Sequence, residues 1–156
     1  MFMLDNKILV LGIGNVLMGD EGIGVHVMKE LEKESFPENV VLVDGGTGGF
    51  HLLEYLQEYP QIIMIDATMD GKAAGTISVL EPKFASDFPK SLSAHDIGLR
   101  DLIEATAVLG NLPKMHLITV TIDNIQSMEM ELSEKIKEAI SGVIDKIKML
   151  LEEINN

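Results

Sequence analysis

The chain has 156 residues, 46% of them hydrophobic, with a formal net charge of −13 and no cysteine. That length suits a single domain spanning 1–156 and is short for two. The charge argues against nucleic acid and against anionic membranes, and the missing cysteine rules out disulfides, thiolate metal sites and a cysteine nucleophile.

In chain order, the opening apolar residues Met1 to Leu4 give way at once to Asp5, Asn6 and Lys7. That run is too short for a signal peptide, and no later run reaches the length of a membrane span. The expected compartment is the cytoplasm. Residues 7–11 read as a buried strand running into the turn Gly12-Ile13-Gly14. Ile23, Val27, Met28 and Leu31 share one face of a first helix. A second strand over 40–43 stops at Asp44-Gly45-Gly46-Thr47, and Leu52, Leu53 and Leu56 mark a short helix before Pro60. A third strand over 62–65 is ended by Asp66, and 76–80 alternates like a strand with an exposed face.

Residues 81–94, broken by Pro82 and Pro89, read as a long loop, and such loops are often functional. Ile97, Leu102, Ile103 and Leu109 suggest a further helix, and 115–121 a fifth strand. Residues 123–132 show no settled pattern. From Ser133, a potential cap, Ile136, Ile140, Val143, Ile144, Ile147, Leu151 and Ile154 recur as an amphipathic helix. Alternating helices and apolar strands make this an α/β chain whose sheet is covered on both faces.

In such a sheet, ligands gather beyond the C-terminal ends of the parallel strands. Asp44 and Asp66 stand there, where each is open to two readings: a loop cap, or a group that meets a cation. Gly12-Ile13-Gly14 resembles a dinucleotide fingerprint, but Leu17 occupies the third glycine position, and Asp20 and Glu21 would repel a pyrophosphate. Glu21 stands at the helix start between residues that favour backbone approach, since Gly22 and Gly24 are poor helix formers. His26, His51 and His116 read as surface or packing residues, whereas His95 follows the irregular loop just before a helix, where it can face a strand-end cleft. No Gly-x-Ser-x-Gly elbow is present.

The run Gly12-Ile13-Gly14-Asn15-Val16-Leu17-Met18-Gly19-Asp20-Glu21-Gly22-Ile23-Gly24 resembles the opening signature of the hydrogenase maturation endopeptidases. Asp44-Gly45-Gly46-Thr47, Ile65-Asp66-Ala67 and Ser93-Ala94-His95 follow in that family's order and spacing, so the resemblance covers nearly the whole chain. It implies a three-layer α/β/α sandwich of the phosphorylase/hydrolase-like kind. Its sheet would have five mostly parallel strands, with 76–80 as the antiparallel edge.

The resemblance also implies an endopeptidase that removes the C-terminal extension of a nickel–iron hydrogenase large-subunit precursor after nickel insertion. Carried over by motif, the metal-contacting residues are Glu21, Asp66 and His95, with Asp44 a further acid near the cleft. Asp44 and Asp66 are the candidates for the catalytic base. Two carboxylates and an imidazole form a mixed oxygen and nitrogen set suited to nickel or zinc with positions left open. The expected metal is nickel carried by the substrate, with no organic cofactor, and the protein is expected to act as a monomer. The alternatives are a nucleotide-binding oxidoreductase and a chaperone that holds the precursor without cutting it.

Overall fold

The computed structural model describes residues 6–49, 51–89, 99–110 and 112–156, and strands and helices follow there in the expected order. Strand β1 is Ile8–Gly12, followed by a 3-10 helix at Gly19–Gly22 and helix α1 at Ile23–Leu31. Next come β2 (Val40–Asp44), α2 (Leu52–Glu58), β3 (Gln61–Thr68) and β4 (Ile77–Leu80). A one-turn 3-10 helix, Ala85–Asp87, interrupts the segment expected to be plain loop. Helix α3 (Leu99–Leu109), β5 (Lys114–Thr121) and α4 (Glu134–Asn155) complete the described elements.

The strands form one sheet in the order β2-β1-β3-β5-β4, parallel throughout except for β4, which runs antiparallel to β5 at the edge. Strands buried on both sides must be apolar on both sides, as β1 and residues 62–65 of β3 are. Ile8 and Val10 of β1, Ile63 and Ile65 of β3, and Ile118 and Val120 of β5 pack with α1 and α4. Leu9, Leu11, Ile62, Met64, Met115 and Leu117 pack on the opposite face with α2 and α3. The result is the three-layer α/β/α sandwich. Among the described residues, no helix is long and apolar enough to cross a membrane.

Two details depart from the sequence reading. Strand β3 does not stop before Asp66: the ladder with β5 continues through Asp66 opposite Thr119 to Thr68 opposite Thr121. The buried stripe of α4 is Ile136, Ala139, Val143, Ile147, Leu150 and Leu151. Ile140, Ile144 and Ile154 flank that stripe and are half-buried, because only a narrow line of the helix faces the sheet. Gly142 lets α4 come down on β4, since a Cβ there would press on the Cδ1 of Ile77.

The burial difference along α4 sets a stability order. Ile147→Ala should cost about 2–5 kcal/mol, as for a fully buried aliphatic, while Ile140→Ala should cost less. Urea denaturation of the two variants measures this; equal losses would contradict the helix orientation.

Candidate active site at the carboxyl ends of β1 and β3

From β1 the chain goes first to β2 on one side and later to β3 on the other, so the sheet's topological switch point lies between β1 and β3. A crevice forms at the C-terminal ends of strands at such a point. Glycines bring the start of α1 down onto these strands. A Cβ on Gly24 would collide with the carbonyl oxygens of Ile13 and Ile65, and one on Gly12 with the carbonyl oxygen of Gly24. The first turn of α1 therefore rests directly on the backbone of β1 and β3. The close approach that Gly22 and Gly24 suggested is made by the protein's own main chain. The preceding 3-10 helix packs against β3 as a consequence.

That 3-10 helix buries Glu21, which is 2% exposed, and the Asn15 N–H donates to its Oε2 at 2.9 Å. Desolvation by burial raises its pKa from 4.5 to about 7, against the smaller lowering effect of the Asn15 bond. Asp66 is fully buried, and its Oδ1 accepts the Ala67 N–H at 2.8 Å. Successive strand residues alternate faces, so Asp66 follows Ile62 and Met64 onto the α2/α3 side. Thr68 continues that row on β3, and Thr119 and Thr121 continue it on β5. All are at most 2% exposed, so an apolar face ends in a buried polar floor. The threonines were not anticipated from the sequence.

Asp44 closes β2, is exposed, and uses its Oδ1 to accept the Gly46 N–H at 2.8 Å, an Asx turn. It lies level with Gly12, which is level with Ile65, so it stands two strand spacings from β3, roughly 10 Å. The structure thus buries Glu21 and Asp66 toward the C-terminal ends of β1 and β3, where the 3-10 helix packs on β3, and leaves Asp44 exposed at the end of β2. His95 lies outside the described residues. Among those residues, no group of three or more His, Asp or Glu side chains could hold a metal ion. The donor chemistry of the two buried carboxylates nevertheless fits a divalent cation: both are oxygen ligands in a site where an unneutralised charge is costly.

Asp20, read in the sequence only as a charge that would repel a pyrophosphate, is the clamp of this region. It is 4% exposed and accepts three hydrogen bonds: Ser133 N–H at 2.7 Å to Oδ1, and Ser133 Oγ at 2.8 Å and Gln126 Nε2 at 3.2 Å to Oδ2. Its own N–H donates to Gln126 Oε1 at 2.9 Å. Ser133 occupies the N-cap position of α4, where its side chain makes no capping bond and its hydroxyl instead donates to Asp20. The unpatterned segment 123–132 is in this way fastened to the turn that carries Glu21. Of the other histidines, His51 is exposed and His26 half-buried. His116 is buried with no partner for Nδ1 among the described residues, and burial lowers its pKa.

Comparison with known proteins gives concordant results. A family model described as hydrogenase maturation protease matches residues 25–150. The chain is 35% identical over 159 residues to the hydrogenase expression/formation protein HupD of Bradyrhizobium diazoefficiens, covering 96% of this chain and 80% of that protein. It is 31% identical to the hydrogenase 2 maturation protease of Escherichia coli, covering 94% and 92%. Several other curated relatives are longer, and the chain spans 59% to 66% of their length. Among solved structures, the hydrogenase maturating endopeptidase HybD of E. coli superposes with a TM-score of 0.85 at 31% identity, covering 94% of this chain and 93% of that one.

Two outcomes follow from this geometry. Asp20→Ala should cost about 2–4 kcal/mol, because three donors lose a charged acceptor. Amide exchange should quicken at Ser133 and across 123–132; a lower melting temperature with unchanged exchange there would contradict the clamp.

Glu21 makes the protein less stable as pH rises, because its folded-state pKa lies above its unfolded value. Relative to wild type, Glu21→Gln should therefore be near neutral below pH 4.5 and gain stability as pH climbs through about 7. The full gain is about 3 kcal/mol in the absence of metal. Denaturant melts of both proteins across that range check the sign; a pH-independent difference would contradict a desolvated carboxyl.

Proposed function

The chain belongs to the hydrogenase maturation protease family and is an endopeptidase; we propose that it trims the C-terminal extension from a nickel–iron hydrogenase large-subunit precursor once nickel has been inserted. On this reading Glu21, Asp66 and His95 contact the nickel that the precursor carries, and the protein acts as a cytoplasmic monomer. The observation that carries the proposal is the burial of the two carboxylates Glu21 and Asp66 toward the C-terminal ends of β1 and β3. A desolvated carboxyl raised to about 7 is only partly ionised near neutral pH, and an arriving cation favours its charged form. Nickel presented by the substrate is such a cation.

The ligand types explain why the metal comes with the substrate. With no cysteine in the chain, the trio lacks the soft ligands that would retain nickel through purification. Nickel held by the precursor's own cysteines keeps vacant positions that the two carboxylates and the imidazole can fill. Filling them aligns the tail in the crevice, and such orientation supplies much of a rate enhancement. Asp66, buried in that crevice, and Asp44, at its margin, are the candidate bases that deprotonate the attacking water.

The test compares nickel-loaded and nickel-free precursor with one enzyme preparation. Cleavage of the loaded form alone is expected; equal cleavage of both would contradict recognition through nickel. Asp66→Asn retains an Oδ1 acceptor for the Ala67 N–H but loses the charge, so it should abolish processing with little change in the melting temperature. Normal processing by that variant would remove Asp66 from the site.

A further inference from the structure

Large apolar side chains stand exposed beside the crevice on a backbone that is tightly held. Leu17 is 47% exposed, Met128 83% and Met130 61%. Between them runs a parallel bridge: Gly19 N–H donates to Glu129 O at 2.6 Å, Glu129 N–H donates to Leu17 O at 3.1 Å, and Met18 faces Glu129. Met128 has a φ of 59°, in the left-handed region that a methionine rarely adopts. Further bonds fix the same segment: Gln126 and Ser133 to Asp20.

Segments exposed for want of packing are usually loosely bonded. This one is pinned at Leu17, Gly19, Gln126, Glu129 and Ser133 and still turns apolar side chains to water, the arrangement of a surface shaped before its partner arrives. Methionine, unbranched and polarisable, adapts to varied apolar partners. We propose that Leu17, Met128 and Met130 form an apolar ledge on which the protein substrate's chain lies as it enters the crevice.

The proposal rests on the function given above and names the surface by which that substrate is held. Continuity with the crevice identifies the occupant: Gly19, bonded to the ledge, and Asp20, which clamps it, immediately precede Glu21. Charge defines its chemistry further. Asp123, Glu129 and Glu131 are exposed around the ledge, and the chain as a whole carries a formal charge of −13. The segment that fits is apolar with basic residues beside it.

Binding of fluorescently labelled, nickel-loaded precursor by anisotropy tests this. The proteins are wild type, the triple variant Leu17→Ser/Met128→Ser/Met130→Ser, the single variant Met128→Ser, and Met149→Ser as an exposed control on α4. All are checked by thermal melts. The triple variant should bind at least about tenfold more weakly and Met128→Ser about threefold, with Met149→Ser like wild type. Should the triple variant fail to fold, the single variant decides. Unchanged affinity in the folded ledge variants overturns the proposal, as does a wild type that cannot bind precursor. A wild-type self-dimer that the ledge substitutions dissolve also overturns it, since the ledge would then serve a second copy. Wild type that binds precursor without cutting it contradicts the proposed function instead, and the affinity comparison still decides the ledge.

Discussion

The backbone of Gly24 lies against the carbonyl oxygens of Ile13 and Ile65, at a separation that no side chain larger than hydrogen permits. Because α1 begins there, the residues just before it have nowhere to go but across the ends of β1 and β3. The 3-10 helix at Gly19–Gly22 is the form that crossing takes. It carries two consecutive acids, and in a helical turn neighbours point in different directions. Glu21 takes its bond from the Asn15 N–H, within the glycine-rich run that leads out of β1. Asp20 takes its bonds from Ser133 and Gln126. One contact between a helix and two strands thus sets up the buried carboxylate and the bracing of the segment beside it.

The two acids illustrate how differently burial can be tolerated. Asp20 is surrounded by donors, three of them on its carboxylate, so its charge is compensated within the fold. For Glu21, desolvation outweighs the backbone bond it accepts, and its carboxyl titrates near neutrality. A folded protein gains nothing from such a group by itself. The proposed role gives the cost a purpose: a site that is reluctant to be charged alone discriminates sharply in favour of a substrate that brings a cation.

Much of this could be read in the residues beforehand, for definite physical reasons. Short aliphatic runs bounded by glycine and proline located β1, β2, β3 and β5, and for β1 and β3 the reason is that a strand covered on both faces has little freedom in composition. The acids Glu21 and Asp66 stood out because carboxylates at strand ends require an explanation. What escaped were features created by the folded chain. Asp20 and Ser133 are 113 residues apart, and no local pattern announces their hydrogen bonds. The threonine floor did leave a trace: Thr119 and Thr121 alternate with Ile118, Val120 and Ile122, a period of two inside a run that looks uniformly apolar. Ile140 was placed on the buried stripe because periodicity gives a direction and not the width of the contact.

On the proposed mechanism the protein completes the coordination of a nickel ion it does not own. Nickel-edge X-ray absorption on loaded precursor, frozen before turnover with and without the protein, measures that directly. Adding the protein should bring new oxygen or nitrogen neighbours at about 2.0–2.2 Å into the nickel's shell, and adding the Glu21→Gln protein should bring fewer. A nickel environment unchanged by a protein that goes on to cleave the precursor normally would contradict the account.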